Sequence, residues 1–433
     1  KDFLDIGTSY QNNHDLSFES MIESIDEDSL LTLIYTSGTT GDPKGVMLTH
    51  KNIASNINDI SAEIFFDDND KFLSFLPLSH VFERTCGHFT PFSKGASIYY
   101  AESIEKVPEN LEEVGPTVVT SVPRLYEKMY SKINDGLRTA PSIKRKLFHW
   151  ALDVGMDTLS YKLAKKKLPI KESIFHAIAN KLIYSKVKNK LGGNLRCFVS
   201  GGAPLSKVVA EFFSALDIVI LEGYGLTETS PILTANTEEN YRPGTVGKPI
   251  RNVDIKIAND GEILAKGPNI MSGYYENQEA TDDSIDKDGW FHTGDIGNFD
   301  SDGFLSITDR KKNIIVTSGG KNIAPAGLEN AISNSTYIDQ VLVIGDKQKF
   351  ISALLVPSFE NINKHLLTKN ISIDGNNALV EHEEVVSLLN KEVESAMSNF
   401  SDYERVKKIK IIHRPFSIEN GELTPKMSIV KKV

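Results

Sequence analysis

Cysteine is nearly absent from this sequence of 433 residues: Cys86 and Cys197 are its only two, far apart in the chain. That argues against a disulfide framework and against a cysteine zinc site, and it suits a cytosolic protein. Surplus positive charge is missing as well. Lys and Arg number 48 against 58 Asp and Glu, a formal net charge of -10, so bulk attraction to nucleic acid is not available and any anionic ligand must be met by local donors. No apolar run approaches the ~20 residues of a membrane span, and no signal-peptide pattern opens the chain. Repeats and low-complexity tracts are also lacking. What is present is a globular composition, 40% hydrophobic and 24% charged, in a length that exceeds a single core. At ~150 residues per domain, two or three domains are expected and a lone small binding module is excluded.

Short apolar runs recur between Gly, Pro and polar clusters: "LLTLIY" (30–35), "KFLSFLP" (71–77), "ASIYYA" (96–101), "PTVVTSVP" (116–123), "LRCFVSGG" (195–202) and "DIVILEGYG" (217–225). Runs of this length without alternation read as strands buried on both faces, and the amphipathic stretches between them predict an α/β domain with a mostly parallel sheet flanked by helices. Ligands of such sheets bind at the carboxyl ends of the strands, where loops 36–45, 201–204 and 223–228 would converge. Residues 124–190 are rich in Lys, Leu and Ile at helical spacing and predict a helical insertion. Its basic side reads either as a solvated face or as a surface resting on an anionic membrane. After Glu228 the pattern becomes short alternating strands with "NDG" and "SDG" hairpin turns, a small β subdomain. The sequence predicts a large domain over 1–308 and a smaller α+β domain over 309–433, with the boundary near "TDRKKN".

The loop "TSGTTGDPKG", Thr36 to Gly45, follows directly on an apolar run. Its glycines Gly38, Gly41 and Gly45 free the backbone amides, and its hydroxyls with Lys44 suit a phosphate. It is not a Walker A loop, because Lys44 is followed by Gly45 and Val46 rather than by a hydroxyl that would reach magnesium. Alone, such a loop is more often a plain turn. Five further stretches accompany it: "LPLSHVFER" (76–84), "SGGAP" (200–204), "EGYGLTET" (222–229), "HTGD" (292–295) and "DRKKNIIVTSGGKNIAPAGLE" (309–329). Taken singly, His80 reads as a satisfied interior histidine, Gly201–Gly202 as a tight turn and Asp295 as a helix cap.

Together these stretches resemble the adenylate-forming superfamily of acyl-CoA synthetases, luciferase and nonribosomal-peptide adenylation domains. "LPLSHVFER", the basic helical insertion and "ENGELTPK" look most like long-chain fatty-acid-CoA ligases. The resemblance covers nearly the whole chain. It implies attack of a fatty carboxylate on the α-phosphorus of ATP to give acyl-adenylate and pyrophosphate, then displacement of AMP by the thiol of coenzyme A. Relatives carry a segment ahead of the Gly-rich loop, whereas this sequence opens on Lys1 about thirty residues before it. The expectation is a piece of a longer protein.

The resemblance also assigns residues. Thr36, Ser37, Gly38, Thr39, Thr40 and Lys44 would cradle the β- and γ-phosphates. Thr227 would contact the α-phosphate and Glu228 would hold Mg2+. Gly202, Ala203, Gly223 and Tyr224 would form the adenine slot, Asp295 and Arg310 would bind the ribose, and His80 would sit beside the α-phosphate and the fatty carboxylate, gating the acyl tunnel. Asp309 is expected as a charged, exposed hinge about which the small domain turns, so that Ser318, Gly319, Gly320 and Lys321 line a coenzyme A channel. Two positions depart from the pattern. Asn313 stands where the hinge motif often has Asp, and Ser428 stands where a catalytic lysine is expected. Lys426, two residues earlier on the same side of an extended chain, is the candidate, with Lys431 and Lys432 as alternatives.

Two other readings accompany the ligase that uses coenzyme A: an enzyme that hands its acyl group to a carrier protein, and a nucleotide-binding module without catalysis. The "SGGK" stretch favours coenzyme A. A cytoplasmic location is expected, with peripheral membrane contact through the insertion as one reading of its basic face.

Overall fold

The computed structural model describes residues 2–13, 18–36, 43–417, 419–423 and 429–430. Ser37, Gly38, Thr39, Thr40, Gly41, Lys426, Ser428, Lys431 and Lys432 lie outside them. Strands β1 (Leu30–Thr36) and β2 (Lys44–Thr49) pair antiparallel, with Tyr35 opposite Gly45 and Thr36 opposite Lys44. This corrects the expectation for the run at 30–35. It joins no parallel sheet, and most of its residues are half-exposed or exposed rather than buried on both faces. The physical reason is proximity, since the apolar segment that follows closely in sequence reaches β1 sooner than any distant strand.

The central sheet has seven strands. They are β3 (Lys71–Ser74), β4 (Ser97–Tyr100), β5 (Val118–Ser121), β6 (Cys197–Ser200), β7 (Ile220–Gly225), β8 (Ile232–Ala235) and β9 (Lys248–Pro249), in the order β4-β3-β5-β6-β7-β8-β9. The first five are mutually parallel and correspond to the other five apolar runs, while β8 and β9 add antiparallel. All four residues of β5 are buried, as a middle strand covered on both faces requires. On one face Tyr126, Phe198 and Phe213 form edge-to-face pairs with ring centroids 5.3 and 6.2 Å apart, the geometry that aromatic quadrupoles favour.

The expected helical insertion is present as helices Pro123–Thr139, Ser142–Leu163 and Ile170–Ala179, followed by a π-helical turn at Asn180–Tyr184 and a last helix Ser185–Asn189. Pro123 opens the first of these helices, where its missing amide would have no intrahelical partner. Helix Ser142–Leu163 lies so close to helix Lys207–Ala215 that a side chain at Gly155 would collide with the Ala215 carbonyl. The Tyr184 hydroxyl donates to the Ala151 carbonyl at 2.6 Å and pins the insertion's inner face.

Strands β10 (Asp254–Ile257) and β11 (Glu262–Lys266) form a hairpin through Gly261, β12 (Gly273–Tyr274) adds to β2, and β13 (Phe291–Phe299) and β14 (Leu305–Arg310) complete the sheet β10-β11-β13-β14. Beyond it, β15 (Ile315–Val316) and β16 (Asn322–Ile323) make a short hairpin. β17 (Ile338–Ile344), β18 (Ile351–Pro357) and β19 (Val406–Ile411) form a three-stranded sheet with β18 in the middle. With helices Pro325–Ser333 and Glu383–Ala396 this last sheet encloses its own hydrophobic core, around Ile332, Leu355, Val385 and Leu389. Among the described residues no helix is long and apolar enough to cross a membrane.

Candidate active site

A cleft of about 670 Å³ opens at the carboxyl ends of the parallel strands, where the loop after β6 and the end of β7 meet the β1–β2 hairpin. Thr36, Lys44, His80, Gly202, Ala203, Gly223, Tyr224, Thr227, Glu228 and Arg310 all line it. The chain turns sharply after β6 because Gly202 sits at a φ of +81°, a conformation that glycine takes without steric penalty. Gly225 is held against the Pro231 carbonyl, where a Cβ would collide, so the backbone of 223–228 runs directly along the cleft wall.

Asp295 does not cap a helix. It lies on β13, whose residues alternate buried and half-buried, so Phe291, Thr293 and Asp295 share the inward face. Burial raises the Asp295 carboxyl pKa while Arg310 opposes the shift. The carboxylate is satisfied by the Tyr224 hydroxyl at 2.7 Å and the Arg310 Nε at 3.1 Å. The pair couples the proposed adenine and ribose residues into one polar unit. The rest of "HTGD" serves that placement: the Thr293 hydroxyl donates to the Ile263 carbonyl at 2.7 Å and accepts the Asp295 amide at 3.1 Å.

Glu228 accepts a hydrogen bond from the Tyr274 hydroxyl at 2.8 Å, and the ammonium of Lys44 stands 4.9 Å from the centre of the Tyr274 ring. Tyr274 thereby links the lysine of the Gly-rich loop to the candidate metal carboxylate. Desolvation raises the tyrosine's own pKa, and the Glu228 charge raises it further. The described residues contain no cluster of three His, Cys, Asp or Glu able to hold a metal. A single carboxylate beside a phosphate loop does fit Mg2+, which keeps several waters and binds through one or two carboxylates plus the phosphates of a nucleotide.

Sequence reasoning misses Tyr274, Glu83 and Lys312, all on the cleft wall. Glu83 is fully buried, accepting from Ser74 Oγ of β3 at 2.5 Å and from Thr120 Oγ1 of β5 at 2.6 Å. Desolvation pushes its carboxyl up to about 7 against the two hydroxyl donors. A side chain at Gly87 would strike that carboxylate. The spacing "ERTCG", with a small residue one turn after Glu83, is the available signal. His80 is exposed at the cleft rather than interior. Its neighbour Arg84 reaches the Leu78 carbonyl and Thr32 of β1, so the "HVFER" turn is tied to the hairpin that carries the Gly-rich loop.

Asp309 is buried, not exposed: it lies within β14, and its carboxylate accepts the amides of Arg310 at 2.6 Å and Ala326 at 2.7 Å. The second of these is an orphan amide at the start of helix Pro325–Ser333, which a carboxylate satisfies well. Next to it, Lys311 bridges Asp260 at 2.6 Å and Glu262 at 2.9 Å; these partners raise its pKa to about 12. Ser318, Gly319, Gly320 and Lys321 occupy an exposed turn between β15 and β16, and they do not line the cleft.

Apolar side chains line the same cleft, among them Ile60, Ile64, Phe66, Phe72, Val81 and Leu221.

Comparison with known proteins adds to this geometry. The family model described as AMP-binding enzyme matches residues 3–275, and the model of the AMP-binding enzyme C-terminal domain matches residues 312–433. The Mycobacterium tuberculosis protein named long-chain-fatty-acid–CoA ligase FadD15 is 37% identical over 93% of the chain and 67% of its own length. The human long-chain-fatty-acid–CoA ligase ACSBG2 is 34% identical over 99% of the chain and 68% of its own. The chain thus spans about two thirds of the length of these relatives. Among solved structures, the Bacillus subtilis O-succinylbenzoate coenzyme A synthetase in complex with ATP and magnesium ion superposes with a TM-score of 0.65 at 22% identity, over 94% of this chain and 70% of that one. The adenylation domain of a carboxylate reductase from Mycobacterium chelonae reaches 0.70 at 24% identity, over 93% and 58%.

Proposed function

The chain belongs to the AMP-binding enzyme family, and from that premise we propose that it activates a long-chain fatty acid with ATP and transfers the acyl group to coenzyme A. The observation that carries this reading is the composition of the cleft. Its lining offers Thr227, Glu228, Tyr224 and Arg310 to a nucleotide, the last two held by Asp295, and it also includes His80 and a set of aliphatic and aromatic side chains. Such a space suits the meeting of a triphosphate with a carboxylate that carries an alkyl tail.

Each side chain then has work set by its chemistry. The Asp295 carboxylate, held by Tyr224 and Arg310, accepts hydrogen bonds from ribose hydroxyls. Lys44 and Thr36 stand where the terminal phosphates leave, and Thr227 and His80 donate toward the α-phosphate and the attacking carboxylate as charge shifts between them. Positioning and preorganised charge supply most of the acceleration in phosphoryl chemistry, because the phosphate is already reactive. Glu228 would contribute one oxygen to Mg2+, which when bound neutralises phosphate charge. Lys426 is the proposed cation for the α-phosphate. The turn of Ser318, Gly319, Gly320 and Lys321 is the proposed coenzyme A contact once the C-terminal part, 309–433, has turned about the joint next to Asp309. A peripheral contact with a membrane through the helical insertion belongs to the same reading, since long-chain acids reside in lipid.

The test is substrate-dependent exchange of labelled pyrophosphate into ATP with palmitate, followed by acyl transfer offered to coenzyme A and to a holo-carrier protein. Exchange with consumption by coenzyme A supports the reading. Exchange with consumption only by the carrier protein replaces the acceptor, and ATP binding without exchange replaces the enzyme by a binding module.

A further inference from the structure

The helical insertion carries a charge opposite to that of the chain. Between residues 142 and 190 there are twelve Lys and Arg against three Asp and Glu, in a protein whose formal net charge is -10. The inner side of this insertion is engaged: Phe148, Ala151, Val154 and Gly155 are buried in the core of the large domain. Its outer helix, Ile170–Ala179, buries only Ala179. Ile170, Ile174 and Ile178 recur every four residues and therefore share one face. They are 82%, 55% and 42% exposed. Ordinary surface helices place polar residues there.

The surroundings of this stripe are basic. Lys165, Lys166 and Lys167 are exposed immediately before the helix, Lys171 lies on it with its ammonium 5.7 Å from the centre of the Phe175 ring, and Lys181 follows it. Glu172 is the only acid on the helix. Trp150 packs edge-on against Phe175 at 6.3 Å, fixing the outer helix to helix Ser142–Leu163.

We propose that the Ile170–Ala179 helix and the Lys165–Lys167 loop dock on the surface of an anionic lipid bilayer, the isoleucines entering the headgroup–acyl boundary and the lysines meeting lipid phosphates. Aliphatic side chains in register with ammonium groups complement a bilayer rather than a nucleic acid, for which stacking aromatics would be placed between the cations. Three isoleucines bury too little surface to hold the protein on a neutral membrane, so the lysines are needed, each contributing through the negative surface potential. The acidic remainder of the chain is repelled by that potential, which orients the insertion toward the lipid. Only the purpose of this contact, delivery of a lipid-borne acid, rests on the fatty-acid reading; the contact requires no turnover.

The experiment is vesicle flotation of the purified protein without ATP. Vesicles of phosphatidylcholine are compared with vesicles of phosphatidylcholine and phosphatidylglycerol, at low and high salt. The protein is expected to float with the anionic vesicles only and to be released by salt. Substitution of Lys165, Lys166 and Lys167 by Gln should weaken partitioning on the order of a hundredfold. Ile170→Ser with Ile174→Ser and Ile178→Ser should weaken it on the order of tenfold or more, with the melting temperature unchanged because these side chains are exposed. Absence of flotation, or flotation unaffected by both sets of substitutions, overturns the proposal. So does a salt-resistant, Ile-dependent self-association in place of flotation, which would make a second copy the occupant. Flotation by a protein that shows no pyrophosphate exchange would leave the membrane surface standing and refute the catalytic reading alone.

Discussion

Replacing Asp295 by Asn changes one atom in the most tightly organised part of the cleft. The carboxylate accepts from Tyr224 at 2.7 Å and from Arg310 at 3.1 Å, so an amide in the same place must point its NH2 at one of two donors. Arg310 is about half exposed and can turn to water, which discounts the lost ion pair to the surface scale of ~0–1 kcal/mol. The buried tyrosine side of the pair loses up to ~1–3 kcal/mol if its hydroxyl is left without an acceptor. The fold should therefore survive, with a fall of a few degrees in melting temperature. The nucleotide loses more. In the proposed complex, two ribose hydroxyls that donate to a charged acceptor would meet a neutral amide with one acceptor atom, and hydrogen bonds to charged groups are worth ~1.5–3 kcal/mol each. A rise of ~10- to 100-fold in the dissociation constant for ATP and AMP is expected, measured by titration calorimetry beside thermal melting. An ATP affinity within about twofold of the parent, in a protein that melts normally, would remove Asp295 from the nucleotide site.

Glu228→Gln should keep the fold and the Tyr274 contact but raise the Mg2+ concentration needed for half-maximal exchange at least tenfold; an unchanged magnesium profile would take the metal away from Glu228. Glu83 gives a pH signature. Its folded-state pKa near 7 lies above the ordinary 4.5, so folding takes up a proton between those values and stability from this group is greatest below pH 4.5 and lost as pH rises to about 7. Glu83→Gln should therefore gain on the parent in denaturant titrations by on the order of 3 kcal/mol between pH 4.5 and 7 and hold a constant difference above; a difference independent of pH refutes the shift. Lys426→Ala should slow adenylation ~10²-fold while sparing thioester formation from supplied acyl-adenylate. If Lys431→Ala does this instead, the lysine is reassigned.

Much of this molecule is legible in its amino-acid sequence. Five of six apolar runs form parallel strands because a strand buried on both faces has no polar side to show. The "NDG" and "SDG" turns join β10 to β11 and β13 to β14 because only local geometry decides a short hairpin. The run at 30–35 misleads for the converse reason: its letters fit a buried strand, but its partner is the neighbouring segment 44–49. Asp309 looks exposed because a charged residue before four more polar ones reads as linker, whereas its carboxylate is needed by a helix amide 17 residues on. Tyr274 is silent for the same cause, and Glu83 nearly so, its one signal being the small residue a turn later. Their importance lies in partners distant in sequence, Glu228 for one and Ser74 and Thr120 for the other, and no spacing rule reports such contacts.

The central claim is that one cleft joins ATP to a fatty carboxylate. Palmitate-dependent exchange of labelled pyrophosphate into ATP tests it most directly. Exchange that requires both palmitate and Mg2+, and that falls in Asp295→Asn and Glu228→Gln, is the expected result. ATP bound with micromolar affinity but never exchanged, at any acyl chain length offered, would contradict it.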